Sequence, residues 1–334
     1  MSNLDIHEMR NALSRSIVKA LPKNHKNKEL NRFYKLISDY PQRGGKLIRG
    51  ILLLLSAEAH GGNWQDALDV AVGLELFQNW ILIHDDVEDE SDERRGKPTL
   101  HKIVGDAIAI NVGDALHVYM WQVLNNLQLA KAHEIRHRFL QMIHYTAEGQ
   151  HLELNWIKSN NFAITENDYL EMVSRKTAYY TVVYPLLLGA LSANKEPDRR
   201  ILDLGIDLGI AFQIRDDVLN LSKNKITGKE FAGDLYEAKR TLILVKLFKQ
   251  ASAEEEKNIK AILSKKRESK TEEEIEYVLV KIEKYNVLEQ SQSYAKQRAQ
   301  SGLELFEEVF KILGRPTVTA HMSGLLKSLA FRDK

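Results

Sequence analysis

Two short acidic patterns are the parts of this chain best equipped for chemistry. Asp85, Asp86 and Asp89 lie in "HDDVEDESDERRGK", where seven acids crowd between Asp85 and Glu93 and two arginines follow. Asp216, Asp217 and Asn220 repeat the spacing in "RDDVLNL", 131 residues after the first pattern. Carboxylates this close repel one another, and without cations some of them would bind protons. Hard oxygen donors suit Mg²⁺, which keeps several waters and completes its shell from substrate phosphates. One such run reads as a solvated helix end. Its recurrence, each time at the end of an apolar segment, points to a site completed by cations and a polyphosphate. Two such helix ends facing each other across a bundle would make an all-oxygen cage.

A metal site for phosphates needs basic neighbours. "RGGKLIRG" sets Lys46 and Arg49 at i, i+3, and the spacing places them on one face of a helix start, a good anion site. Taken alone, the same stretch is as readily a surface turn. Arg94 and Arg95 follow the first acid cluster directly and either balance its charge or bind an anion. "SRKTAYY" puts Lys176 and Thr177 inside an apolar helix, where a lysine must reach water or meet an anion. Lys229, Asp234 and Lys239 follow the second acid pair. Exposed loop lysines are usually only solvated.

The elements that must hold these residues are helices. The 334 residues include only 6 prolines and 18 glycines, and 44% are hydrophobic. Alternating strand patterns are scarce, whereas helical periodicity is long. "TEEEIEYVLVKIEKYNV" shows it: Thr271 caps, Glu274 completes a capping box, and Ile275, Val278, Leu279 and Ile282 form one face. A second long helix starts at Thr165 and is apolar on most sides. "KLIRGILLLLSAEAHGG" stops at Gly61, and the polar stretch near 263–274 reads as a helix–helix connection. The expected architecture is a single all-α domain over 1–334, a bundle of ten or more helices.

Composition excludes several alternatives. There are no cysteines, so disulfides and thiolate chemistry are absent. The 47 Lys and Arg nearly balance the 46 Asp and Glu, which removes the bulk basic field that nucleic-acid binding needs. The apolar run at Ile51 is too short to cross a bilayer, and the N-terminal stretch has no apolar leader core. A cytoplasmic location is expected. An HD-type phosphohydrolase built on His84-Asp85 leaves the second acid motif unexplained. An EF-hand fails because Glu90 stands where its loop needs glycine.

Taken together, "GGKLIR", "FQNWILIHDDVEDESDERRGKPTLH", "EGQHLEL", "SRKTA", "FQIRDDVLNL" and "GKEFAGDLYEAKRTL" resemble the trans-type polyprenyl (isoprenyl) diphosphate synthase family, with a texture closest to geranylgeranyl diphosphate synthases. The resemblance implies the isoprenoid synthase fold, helices around a deep central cavity. It implies Mg²⁺-dependent head-to-tail condensation of isopentenyl diphosphate with an allylic diphosphate (dimethylallyl, geranyl or farnesyl), usually in a homodimer. By the same resemblance, Asp85, Asp86, Asp89, Asp216 and Asp217 would hold Mg²⁺, typically three ions. Arg94, Lys176 and Lys229 would contact the allylic diphosphate, and Lys46, Arg49, Arg95 and Gln78 the diphosphate of isopentenyl diphosphate. Lys239 is a further substrate-binding candidate. Thr177 and Gln213 would flank the reacting carbons, and Gln150 and Glu153 would lie beside the first metal site. Asn220 replaces an aspartate of the family pattern, so a direct ligand is expected to be lost there without loss of activity.

Product length in such enzymes follows the depth of an apolar pocket. Trp80 lies five residues before Asp85, more than one turn deeper along the helix. With aliphatic Ile81 beside it and Phe77 behind, Trp80 is expected to form a floor at twenty carbons, and "AIAINVGDALHVYMW" a further wall. Farnesyl or longer-chain synthesis is the alternative product class. A regulatory subunit of a heteromeric synthase is the non-enzyme alternative, and the intact acid motifs argue against it. Terpene cyclases share the fold and lack the site represented by Lys46, Arg49 and Arg95.

Overall fold

The computed structural model describes residues 5–222 and 231–331. In chain order its helices are α1 (Ile6–Ala20), α2 (Lys28–Gln42), α3 (Ile48–Ala59), α4 (Leu68–Glu88), α5 (Leu100–Val104), α6 (Asp106–Asn125), α7 (Ala132–Lys158) and α8 (Glu166–Val173). A π-helix spans Ser174–Val183, and α9 (Tyr184–Ser192), α10 (Ile201–Asn220), α11 (Gly233–Tyr236), α12 (Leu242–Phe248), α13 (Ala253–Leu263), α14 (Glu272–Lys284), α15 (Val287–Lys311) and α16 (Pro316–Ala330) follow. The only sheet among the described residues is a hairpin of two-residue strands, β1 (Glu93–Arg94) and β2 (Lys97–Pro98). The expected all-α class is therefore what the chain adopts.

Local rules account for the element ends. Thr271 accepts the Glu274 N–H while the Glu274 carboxylate accepts the Thr271 N–H, so the capping box forms as its sequence predicts. Thr165 and Asp168 do the same for α8. Each such cap is worth about 1 kcal/mol. After α3 the chain turns at Gly61, whose φ of +84° suits glycine. Leu47 adopts φ +49° directly before α3, so that helix starts only at Ile48. Lys46 thus precedes the helix and does not share a helical face with Arg49, contrary to the i, i+3 reading.

The chain forms two compact units, each assembled from three stretches. The first comprises Met1–Met142, Tyr180–Leu202 and Leu305–Leu325. Within it α4 and α6 pack closely because two glycines remove side chains at the crossing. A Cβ on Gly73 would lie 2.7 Å from Leu124 Cδ2, and one on Gly113 2.2 Å from His84 Nε2. Leu74, Leu76, Phe77, Val112, Leu116 and Met120 are buried there.

The second unit comprises Ile143–Tyr179, Asp203–Glu304 and Leu326–Lys334. One of its cores joins Trp156, Tyr169, Met172, Val173, Ile210 and Ile214. Another joins the apolar faces of α12, α13 and α14, with Ile275, Val278 and Ile282 in the places their periodicity assigns. Arg240 is the largest fully buried side chain. It donates to the carbonyls of Asn161, Ala238 and Trp156 and lies 3.9 Å over the Phe162 ring. It ties the strand of chain carrying Asp234 and Lys239 to the end of α7.

Candidate active site

The first acid motif ends α4. Asp85 and Asp86 lie in its last turn and Asp89 is its C-cap residue. Adjacent aspartates on a helix point about 100° apart, so they meet different surroundings. Asp86 points into the unit and is fully buried. Tyr40 Oη donates to its Oδ2 at 2.5 Å, Arg94 Nε donates to Oδ1 at 2.9 Å, and Arg94 Nη2 also donates to Oδ1. Burial beside this carboxylate pushes the Tyr40 hydroxyl well above its usual range, so it stays a donor. Asp85 keeps 22% of its side chain exposed and lies 3.7 Å from Arg94 Nη2.

The hairpin after α4 sends two successive arginines in different directions. Arg95 and Gly96 both have positive φ, +56° and +70°, as a type I′ two-residue turn requires. Arg94 turns to Asp86. Arg95 Nη1 donates to the Tyr40 carbonyl at 2.8 Å and to Asn79 Oδ1 at 3.3 Å. Gly45 makes room for it: a Cβ there would lie 3.3 Å from Arg95 Nη2. Arg49 is fixed from another side, with Nη2 donating to Thr181 Oγ1 at 2.9 Å and its guanidinium 4.5 Å over the Tyr180 ring. Buried Glu75 accepts the Gly50 N–H at 2.8 Å; desolvation raises its pKa, and that bond, with Arg49 and Arg95, opposes the rise. Glu75, Asn79, Tyr40 and Tyr180 escaped the sequence reading. Polar Glu75 and Asn79 at i, i+4 within an apolar helix were the available signal. Lys46 adjoins this region in the chain, and Gln78 on α4 is half-buried.

The second acid motif ends α10 and repeats the arrangement. Asp217 is buried, accepting from Tyr169 Oη and from Gln213 Nε2, each at 2.8 Å. Burial, with Asp234 nearby, pushes its carboxyl up to about 7. Gln213 Oε1 accepts the Thr177 hydroxyl at 2.8 Å, so one amide bridges Thr177 and Asp217. Lys176 is ion-paired with Glu153. These residues, with Asp216, Asn220, Asp234 and Lys239, line one pocket. Lys239 meets Glu237 at 2.9 Å. Asn220 Oδ1 accepts the Asp234 N–H at 3.1 Å, which gives the amide a turn-holding role. Gln150 lies on α7 three residues before Glu153, and Lys229 lies outside the described residues.

Lys176 and Thr177 sit in the π-helix, a rare register associated with functional sites. Gly149 on α7 lets that segment approach, since a Cβ there would lie 2.3 Å from Lys176 N. Deeper along α4, Phe77 is buried, while Trp80 and Ile81 are half-buried. Phe77 meets Trp80 and Tyr180 edge to face, with centroids 5.8 and 5.7 Å away.

Among the described residues, no three histidine or carboxylate side chains gather as a ready-made metal cluster. The donors nevertheless fit Mg²⁺, which needs only one or two carboxylates besides waters and substrate oxygens. All candidate donors are hard oxygens, and Asp234 and Glu153 add like charge beside buried Asp217.

The profile of the polyprenyl synthetase family matches residues 30–282. A geranylgeranyl diphosphate synthase of Methanosarcina mazei is 35% identical over 250 residues, covering 72% of each chain. The crystal structure of geranylgeranyl pyrophosphate synthetase from Pyrococcus horikoshii superposes with a TM-score of 0.85 at 28% identity, covering 98% of this chain and 97% of that one. Geranylgeranyl pyrophosphate synthase from Corynebacterium glutamicum, complexed with isoprenyl diphosphate and magnesium, gives 0.86 at 26% identity, covering 98% and 100%. The helical fold, the paired acid motifs and the family match together define a prenyltransferase. The chain belongs to the polyprenyl synthetase family.

Proposed function

We propose that the chain catalyses Mg²⁺-dependent head-to-tail condensation of isopentenyl diphosphate with an allylic diphosphate, releasing diphosphate and ending at geranylgeranyl diphosphate (C20). The observation that carries this reading is the duplicated aspartate pair, each with one member held rigidly. Tyr40 and Arg94 fix Asp86, and Tyr169 and Gln213 fix Asp217. Both oxygens of each are engaged, which favours Asp85, Asp89 and Asp216 as direct ligands. Asp86 and Asp217, expected as ligands, are better suited to positioning. When bound, Mg²⁺, three ions in this reading, would neutralise charge on the departing diphosphate.

The chain's own residues supply the rest. Lys176, Arg94 and Lys239 offer cationic donors to the allylic diphosphate, and Lys229 is proposed with them from the sequence pattern. Lys46, Arg49, Arg95 and Gln78 hold the diphosphate of isopentenyl diphosphate. Arg49 and Arg95 are each braced by uncharged partners and share the single carboxylate of Glu75. Thr177 and Gln213, locked together, flank the reacting carbons. The allylic C–O bond breaks, the double bond of isopentenyl diphosphate attacks the allylic carbon, and a proton leaves to the released diphosphate. Holding the two carbons in line supplies much of the rate, and fixed cationic donors stabilise the leaving charge.

Trp80, backed by Phe77 and flanked by Ile81, is the proposed floor that stops growth. We assign the whole of 1–334 to one functional domain, since the family match draws on both compact units. The enzyme is proposed to act as a cytoplasmic homodimer. No helix among the described residues is long and apolar enough to cross a membrane. Labelled isopentenyl diphosphate tests the reaction. Incorporation into a prenyl diphosphate should require both an allylic primer and Mg²⁺, and incorporation persisting after chelation would contradict the metal assignment.

A further inference from the structure

We propose that His117 is a specificity-determining residue: its ring braces the Trp80 indole, and the two together set where chain growth stops. This rests on the reading of Trp80 as the floor of the growing chain. His117 stands on α6, which faces α4 within the first unit. Its ring stacks on Trp80 with centroids 4.1 Å apart and planes 20° from parallel. A second residue holds His117 itself. Trp121, one turn further along α6, donates its indole N–H to His117 Nε2 at 2.8 Å. That bond makes Nε2 an acceptor and assigns the proton to Nδ1.

Trp80 is hemmed in elsewhere too. Phe77 and His84 meet it edge to face, at 5.8 and 6.0 Å. At Gly113, one turn before His117, a Cβ would lie 3.3 Å from Trp80 Cδ1, so α6 approaches the indole at backbone distance. A floor made by one large side chain can swing to another rotamer when a growing chain presses on it. Here the indole is gripped between its own helix and a stacked imidazole, and that imidazole is anchored by a hydrogen bond. Aromatic pairs in this geometry add attraction beyond the area they bury. Trp80 thus supplies the bulk of the floor, and His117 keeps it in place.

Product length reads this directly when all variants are compared at one ratio of the two substrates, because each intermediate partitions between release and a further addition. His117→Ala, and the milder truncation His117→Val, are expected to shift the main product upward by at least one five-carbon unit. His117→Phe keeps a flat ring against Trp80 and is expected to return the parental length. Trp80→Ala is assayed alongside. If Trp80→Ala lengthens the product while both truncations of His117 leave the distribution unchanged, the assignment of His117 is overturned. If Trp80→Ala also leaves it unchanged, the floor reading beneath the assignment is wrong.

Discussion

Arg94 grips Asp86 through its Nε, 2.9 Å from Oδ1 and 3.2 Å from Oδ2, and Asp86 is fully buried. Neighbouring Asp85 has no such burial. Two adjacent aspartates in one motif therefore carry different duties. Asp86→Asn would leave the half-buried Arg94 guanidinium only Asp85, 3.7 Å away, as countercharge, and is expected to cost about 1–3 kcal/mol. Asp85→Asn, at a side chain 22% exposed with the longer contact to Arg94, is expected to cost less stability than Asp86→Asn, yet to remove nearly all turnover. Thermal melting and steady-state rates on both variants check this. Equal loss of stability in the two would contradict the division.

Gly149 sets the spacing between α7 and the π-helical segment. An added methyl would lie 2.3 Å from the Lys176 nitrogen and 2.7 Å from its Cα, both backbone atoms that cannot swing aside. Gly149→Ala is expected to cost about 1–3 kcal/mol by overpacking. It should also lower kcat, because Lys176 and Thr177 must move. Gly324 in α16 has nothing within 4 Å of an added Cβ. Gly324→Ala should be neutral or stabilising by up to about 1 kcal/mol. A kcat unchanged in Gly149→Ala would show that the close approach does not position Lys176.

What could be read from the sequence, and what could not, follows from which forces are local. The capping pairs Thr165–Asp168 and Thr271–Glu274, the stop at Gly61 and the apolar faces of α4 and α10 depend on residues a few positions apart, and all were legible. Asp85 and Asp216 were legible as helix-end acids because the spacing repeats. The partners of Asp86 and Asp217 were not. Tyr40 is 46 residues from Asp86 and Tyr169 is 48 from Asp217, and no local pattern links them. The π register at Ser174–Val183 was hidden because its composition is that of an ordinary apolar helix. Leu47 at positive φ breaks the rule that such backbone belongs to glycine, and with it went the helical face assigned to Lys46.

Lys270 offers a pH test away from the chemistry. It is buried and donates to the Tyr236 carbonyl at 2.6 Å. Desolvation first, then Arg240 and Arg267, lowers its pKa from 10.5 to about 8. Between those values the native state holds fewer protons at this site than the unfolded chain, so its contribution to stability rises with pH. Below about 8 the ammonium is charged in both states and its burial cost is fully present. Lys270→Met removes the titration. The stability difference between Lys270→Met and the parent is expected to change between pH 8 and 10 in the parent's favour. A difference independent of pH would contradict the shift.

The central claim is that this one chain, with Mg²⁺, both joins the two substrates and stops the product at twenty carbons. The most direct measurement incubates the purified chain alone with labelled isopentenyl diphosphate, farnesyl diphosphate and Mg²⁺, then separates the dephosphorylated products by chromatography. Geranylgeraniol is expected as the main product, and it should disappear when Mg²⁺ is chelated. A main product shorter or longer than twenty carbons would contradict the length assignment, and no turnover until a second, different chain is added would contradict the enzyme itself.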